Sequence, residues 1–338
     1  MLHVINKKYY LISFLISYYS IFNGLGREFK IEQITPKQGL SQSTVNCILQ
    51  DMYGLMWFGT NDGLNKYNGY DFTVYKPVSS DSTSISSNVI RMLCEDSYGY
   101  IWAGTEYGLN RYDQETEKFK RYCCKAKDTT SISCNIVLSI FEDNKQQLWI
   151  GTKGGGLCKY VREEDSFIRF NNEYSPESNS VYAIIEDNLN KDFLLLGTTQ
   201  GLYKFDKENE IFIPYTQKFD RKNQIIRNIR VLSQDKDGNI YIGCWGEGLF
   251  KYNYESDELT KYFGSRNYRF LKYNYVLSLL MDVQDVLWIG TRDGGLVKFN
   301  TANDQFSFPE DLSTFRSLSN QVIRSLYKSH SGLIWVGT

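Results

Sequence analysis

Histidine is almost missing from this 338-residue chain, which has only His3 and His330. Ser-His-Asp and Cys-His nucleophilic catalysis need an imidazole beside the nucleophile, so both are excluded, and no phospho-acceptor histidine stands in a helical setting. Seven cysteines, at 47, 94, 123, 124, 134, 158 and 244, have no histidine partners and give no zinc site. Cys47, Cys94 and Cys158 fall in strands and read as small buried hydrophobes, while Cys123 or Cys124 could reach Cys134 across one loop in an oxidising compartment. An excess of charge is missing too. Thirty-eight Lys and Arg against 39 Asp and Glu leave a net charge of -1 with no basic stretch, which argues against nucleic acid as a partner. Long apolar runs are confined to one segment, Tyr9 to Phe22, short of the ~20 residues that a membrane span needs. Lys7 and Lys8 precede it and Gly24-Leu25-Gly26 follows, the layout of a secretory signal peptide over residues 1–26. The rival reading is an uncleaved anchor. Cleavage leaves residues 27–338 as an exported, periplasmic domain.

What the chain has is a repeat. Trp57-Phe58-Gly59-Thr60 returns as Trp102-Ala103-Gly104-Thr105, Trp149-Ile150-Gly151-Thr152, Leu195-Leu196-Gly197-Thr198, Tyr241-Ile242-Gly243-Cys244, Trp288-Ile289-Gly290-Thr291 and Trp335-Val336-Gly337-Thr338. The glycines are 45, 47, 46, 46, 47 and 47 residues apart. A period in the mid-forties with an aromatic signature marks a β-propeller, whose repeats are small antiparallel sheets stacked around an axis. Each repeat parses into four strands, A to D from the axis outwards. Strand A carries apolar residues at two constant places: Val45, Ile90, Val137, Val181, Ile229, Val276 and Ile323, then Ile48, Leu93, Ile140, Ile184, Leu232, Leu279 and Leu326. These fall on opposite faces of a period-two strand, so A is expected to be packed on both sides. An Asp-containing turn leads to the Trp-bearing strand B, a glycine-rich turn to C, and Phe72, Phe119, Phe167, Ile211, Leu259 and Phe306 mark D.

The expected fold is all-β: a seven-bladed propeller of four-stranded antiparallel blades, with the last blade incomplete and closed by the N-terminal strand. Residues 28–34 match an outer strand D and complete blade seven, removing the sheet edge. Strand C of that blade is expected to be absent, since the repeat ends at Thr338, and the intact protein is expected to continue beyond it.

Chemistry is less legible than fold. With histidine gone, carboxylates remain for an enzyme: Asp62, Glu106, Glu247 and Asp293 lie in BC turns, where solvation alone accounts for acidic residues. No catalytic residue, cofactor or metal is assigned. The better clue is the residues that break the pattern on one rim, where BC turns and DA connections frame the channel. After the Gly-Thr pair stand Asn61, Glu106, Lys153, Thr199, Trp245 and Arg292. Trp245 lies outside the repeated Trp slot, and an indole in a glycine-flanked turn offers a flat face that suits a sugar ring. Tyr107, Arg292 and the DA residues Arg227, Arg230, Tyr273 and Tyr275 are placed near it, a setting for an acidic or neutral oligosaccharide. The binding set is Trp245, Arg292, Tyr107, Arg230, Tyr275, Glu106 and Asp62. The alternative is that Trp245 packs on the DA loop of its own blade.

The stretch Ser84 to Ile90, then Glu95 to Thr105, then Gly108 to Asp113 resembles the two-component regulator propeller repeat, and similar text recurs at Ser131 to Tyr160 and Ser317 to Thr338. The resemblance implies the periplasmic sensor of a hybrid two-component system for polysaccharide utilisation. It also implies a longer receptor anchored in the inner membrane, with a downstream propeller and kinase domains as partners, and a second copy of itself as another partner. Leu195 and the two extra residues in the AB turn of blade four depart from the pattern, as do Tyr241 and Cys244 of blade five. The family repeat is structural and carries no ligand residues across. A ligand-sensing module is the leading reading; a propeller glycosidase or lyase using rim carboxylates, or a protein-interaction scaffold, are the alternatives.

Overall fold

The computed structural model describes residues 2–7, 29–171, 180–215, 226–262, 273–282, 285–307 and 322–338, and among them it is β apart from one 3-10 turn at Pro36–Gln38. Six four-stranded blades are each built from one continuous stretch of chain. In the first, Val45–Gln50, Met56–Thr60, Gly63–Tyr67 and Phe72–Tyr75 pair antiparallel in that order. The inner strands of the next five are Ile90–Glu95, Val137–Glu142, Val181–Glu186, Ile229–Gln234 and Val276–Asp282. Each inner strand touches the next, and Ser325–Lys328 touches both the last and the first, so the sheets form a closed ring.

The expectation of seven blades with the last one lacking a strand is corrected here. Six blades are complete units of contiguous chain, not seven. The seventh set of repeat residues, Ser325–Lys328 and Ile334–Gly337, shares a four-stranded sheet with two strands from the other end of the chain. Leu2–Lys7 pairs with Ile334–Gly337 on one side and with Phe29–Ile34 on the other, so the place expected to be empty is filled. The physical reason is backbone satisfaction: an open edge inside the sheet leaves N–H and C=O groups without partners. Sequence reading put Leu2–Lys7 in a leader because Lys7 and Lys8 flank an apolar run. The rest of that segment, residues 8–26 with the Tyr9 to Phe22 stretch and the Gly26 boundary, lies outside the described residues.

The two ends are tied to blade one. The Val45 amide donates to the Thr338 carbonyl at 3.0 Å, the Ser325 hydroxyl to the Val45 carbonyl at 3.1 Å and the His330 amide to Gln50 Oε1 at 2.7 Å. The last of these belongs to a series. Met52 donates from its amide to Glu95, Ser97 to Glu142, Asn144 to Glu186 and Asn188 to Gln234, so with His330 five of these turns are held by the inner strand of the next sheet.

The recurring phrase follows from the same stacking. Indoles of Trp57, Trp102 and Trp149 are buried and donate to the turn carboxylates of Asp51, Asp96 and Asp143 at 2.8, 2.7 and 3.0 Å. In blade five the Tyr241 hydroxyl replaces the indole and reaches Asp235 at 3.3 Å. The same rings lie against the strand C aromatic of the next blade: Trp57 on Tyr112, Trp102 on Tyr160, Trp149 on Phe205 and Tyr241 on Phe299. Blade four, with Leu195 in the slot, leaves its turn carboxylate Asp187 to Lys204 at 3.0 Å. The glycine serves a close approach, not an unusual backbone angle. A Cβ at Gly104 would lie 2.6 Å from Val137 Cγ1, and one at Gly243 would lie 2.6 Å from Val276 Cγ1, both on the inner strand of the following blade. Threonine closes the BC turn, as Thr60 Oγ1 donates to the Gly63 carbonyl and accepts from the Asp62 amide.

Candidate ligand site at the channel mouth

Each inner strand carries a register break at its second residue. The shift falls between Val45 and Cys47, Ile90 and Met92, Val137 and Ser139, Val181 and Ala183, Ile229 and Val231, and Val276 and Ser278. A bulge leaves one residue without a ladder partner and re-aims its side chain. Those residues are Asn46, Arg91, Leu138, Tyr182, Arg230 and Leu277, and Arg324 takes the equivalent place with its amide donating to the Gly337 carbonyl. All seven line one opening of about 360 Å³, together with Trp245. Below them the channel is walled by Ile48, Leu93, Ile140, Ile184, Leu232, Leu279 and Leu326. The mouth is mostly polar and the throat mostly aliphatic, with the hydroxyls of Ser139, Ser278 and Ser325 between its apolar side chains. The constant strand A residues expected to be sandwiched between blades therefore divide their roles: the Val45 set packs blade on blade, and the Ile48 set lines the channel.

Trp245 stands at this mouth with 38% of its surface exposed. Its amide donates to the Asn228 carbonyl at 2.9 Å and its backbone bridges to Tyr275, whose ring meets the indole edge-on with centroids 5.0 Å apart. Guanidinium groups flank it. Arg292 lies 5.3 Å from the indole and from the Tyr275 ring, and Arg230 lies 5.6 Å from the indole and 3.6 Å above Tyr182. Four of the residues expected to form the site, Trp245, Tyr275, Arg230 and Arg292, are thus brought together. The alternative has Trp245 packing on the DA loop of its own blade; there the backbone of Trp245 bonds Asn228, while the indole rests edge-on against Tyr275 of the connection into the next blade and the residue stays partly exposed.

The other three are placed apart. Asp62 is paired with Lys76 at 2.7 Å, within its own blade. Glu106 is paired with Arg91, which ties it to the mouth only through that arginine. Tyr107 is exposed in the turn of blade two and its carbonyl accepts from Cys123 Sγ. Tyr273, also expected on the rim, is buried in the core between blades five and six, against Leu287 and Phe299. The seven cysteines are free thiols, so the pairing considered for Cys123 or Cys124 with Cys134 is not formed. Burial pushes the Cys94 thiol up to about 12 and raises Cys47, Cys158 and Cys244 as well.

Sequence reading missed Arg91, Tyr182 and Arg324. A signal for them existed: the second position of strand A is the variable one between constant apolar neighbours, running Asn, Arg, Leu, Tyr, Arg, Leu, Arg around the ring. Arg324 opens onto the mouth, yet partial desolvation and then the positive charge of Arg292 pull its guanidinium below the ordinary arginine value.

Four stretches, residues 39–62, 84–107, 131–154 and 317–338, match the family described as two component regulator propeller. The chain carries that propeller repeat. A 58-residue stretch, 17% of this chain, is 52% identical to part of histidine kinase P4 of Formosa agariphila and covers 4% of that protein. Among solved structures, the extracellular domain of the hybrid two-component system BT3049 of B. thetaiotaomicron superposes with a TM-score of 0.77 at 26% identity, over 91% of this chain and 40% of that one. The propeller thus spans well under half the length of these relatives. Virginiamycin B lyase of Staphylococcus aureus shares the fold with a TM-score of 0.64, over 91% of this chain and 99% of that one, at 13% identity. That likeness speaks to the fold alone. No helix among the described residues is long and apolar enough to cross a membrane.

Proposed function

We propose that this propeller is the ligand-sensing part of an exported hybrid two-component receptor, and that its channel mouth binds an oligosaccharide. The observation that carries the reading is the Trp245 corner: a part-exposed indole, braced edge-on by Tyr275 and flanked by two guanidinium groups, at an opening of about 360 Å³. An aromatic face beside directional donors is the arrangement that recognises a sugar, whose ring has an apolar CH face and a polar edge. Signal transfer to a kinase would run through parts of a longer protein, as in the relatives.

The enzymatic reading has less support. Two-carboxylate glycoside hydrolysis needs one carboxyl able to give a proton and another free to attack or to activate water. Here each rim carboxylate has its own cation: Asp62 with Lys76, Glu106 with Arg91, Glu247 with Lys261 at 3.0 Å and Asp293 with Arg292 at 3.9 Å.

Calorimetry against a glycan library with the wild type and Trp245→Ala tests the proposal. Binding should weaken by more than ~1 kcal/mol in the variant, because a stacking platform is lost at the centre of the contact. Its melting temperature should barely change, since the indole is partly exposed. Unaltered binding together with a large loss of stability would mean that Trp245 only packs.

A further inference from the structure

The mouth is unevenly charged. Of the seven residues at this place, six at bulges and Arg324 at the equivalent position, three are arginines, Arg91, Arg230 and Arg324, and Arg292 joins them from the rim. Arg91 is matched by Glu106, and Arg292 has Asp293 at 3.9 Å. Among the described residues Arg230 and Arg324 have no carboxylate partner. The Nε of Arg230 is shielded from solvent and donates to no acceptor, although the side chain as a whole reaches the opening. A guanidinium carries five donors in a fixed fork, and Arg230 reaches the opening with no carboxylate among the described residues to accept from it, so a bound oxyanion would supply that acceptor. Arg292 lies close enough to Arg324 to disfavour its charge, a repulsion that an anion between them would relieve. The throat beneath is lined mostly by aliphatic side chains and carries no charged group, so the charged group would stay at the mouth.

We infer that the mouth is an anion-binding site, selecting an acidic sugar whose carboxylate or sulfate is held by Arg230 and Arg324 while the sugar ring lies on Trp245. This rests on the oligosaccharide reading above and narrows it from sugars in general to sugars bearing an oxyanion. Arg230, Trp245 and Arg324 line one opening, and Arg230 and Arg292 both face the indole. The bulge between Ile229 and Val231 turns Arg230 to the mouth, while Trp245 and Arg292 reach it from the turns that follow their strands. Without its bulge the second residue of an inner strand would sit in the ladder and alternate with its neighbours.

The test uses trigalacturonate, its fully methyl-esterified form and a sulfated galactose oligosaccharide in calorimetry, with citrate as an acid without a sugar ring. Either trigalacturonate or the sulfated sugar should bind, which tells carboxylate from sulfate, and the methyl ester should bind at least tenfold more weakly. Arg230→Gln and Arg324→Gln should each weaken the acidic ligand tenfold or more. Their unliganded melting temperatures should equal or exceed the wild type, because each removes an uncompensated charge. Arg324→Lys, which keeps the charge and loses the fork, should fall between. If Gln variants fold poorly, melts of the wild type decide: sulfate at matched ionic strength should raise the melting temperature more than it does for Arg324→Lys. Binding of the methyl ester as tight as that of the acid, or arginine variants without effect on the acidic ligand, overturns the inference while leaving the sugar reading intact. Citrate binding as tightly as trigalacturonate, with Trp245→Ala without effect, upholds the anion site and refutes the sugar. No binding of any acid and no extra rise with sulfate overturns the anion site.

Discussion

Replacing Gly151 by alanine adds one methyl group, and the structure says where it goes. The new Cβ would stand 2.5 Å from the Val181 carbonyl oxygen, 3.0 Å from Val181 Cβ, and nearer still to the Ser139 hydroxyl. Val181 opens the inner strand of blade four, so the obstacle is the backbone of the next blade and not a flexible side-chain tip. To reach ordinary contact the carbonyl would have to retreat from 2.5 to about 3.4 Å, and the ring allows little such movement because every inner strand is clasped on both sides. Overpacking of this kind costs ~1–3 kcal/mol. The hydrogen bond that Ser139 Oγ donates to the Val181 carbonyl at 3.0 Å, linking blades three and four, would also be lost, for a further ~1 kcal/mol. The expected destabilisation is therefore ~2–4 kcal/mol by urea unfolding. Gly154→Ala, three residues on, is the comparison: nothing lies within 4 Å, but φ is +77°, so the cost is left-handed strain of ~1–2 kcal/mol. In a Ser139→Ala background the Gly151→Ala penalty should shrink without vanishing, because the carbonyl remains. A Gly151→Ala variant no less stable than Gly154→Ala would refute the account of why this glycine recurs.

Asp96→Ala should cost ~3–5 kcal/mol, since the buried carboxylate accepts from Trp102 Nε1 at 2.7 Å, from the amides of Tyr98 and Tyr100, and from Arg162 at 2.9 Å, all left without an acceptor; a loss under ~1 kcal/mol in the same assay would contradict this. Acid should destabilise the propeller in part through Asp165. Burial pushes that carboxyl up, but Lys120, Tyr122 and Tyr160 outweigh it and hold the group below its usual range. A depressed folded-state value gives stability that is present above the unfolded value of ~3.9 and lost as pH falls through the folded one, so Asp165→Asn should flatten the pH dependence below ~4, and an unchanged slope would exclude the role. A chain beginning at residue 27 lacks the strand that pairs with both Phe29–Ile34 and Ile334–Gly337. Its melting temperature should fall and amides of Ile334–Gly337 should exchange faster; equal values in both measurements would show that Leu2–Lys7 contributes nothing to closure.

The sequence by itself determined the propeller class, the strand order within a blade and the seats of its aromatic residues, because all of these are local. Strand periodicity, turn residues and the Trp-x-Gly-Thr phrase fall within about 45 residues of one another and repeat, so each copy reinforces the reading of the others. It also singled out Trp245 with Arg230, Tyr275 and Arg292, since residues that break a repeat stand out against it. Only the tertiary structure decided the rest. That Leu2–Lys7 supplies a strand beside Ile334–Gly337 depends on two chain ends more than 300 residues apart meeting at ring closure, for which no local pattern exists. That Asp62 and Glu106 are neutralised by Lys76 and Arg91 depends on which side chains face each other across a turn and across the strand break. The arginine pair needed both kinds of information: the variable place in strand A is visible in the repeat, but a bulge turns that place into the mouth of the channel, and the ring brings Arg230 and Arg324 from separate sheets to one opening. A bulge is set by the pairing between strands, and a ring by the stacking of sheets, so neither is written into the residues of a single strand.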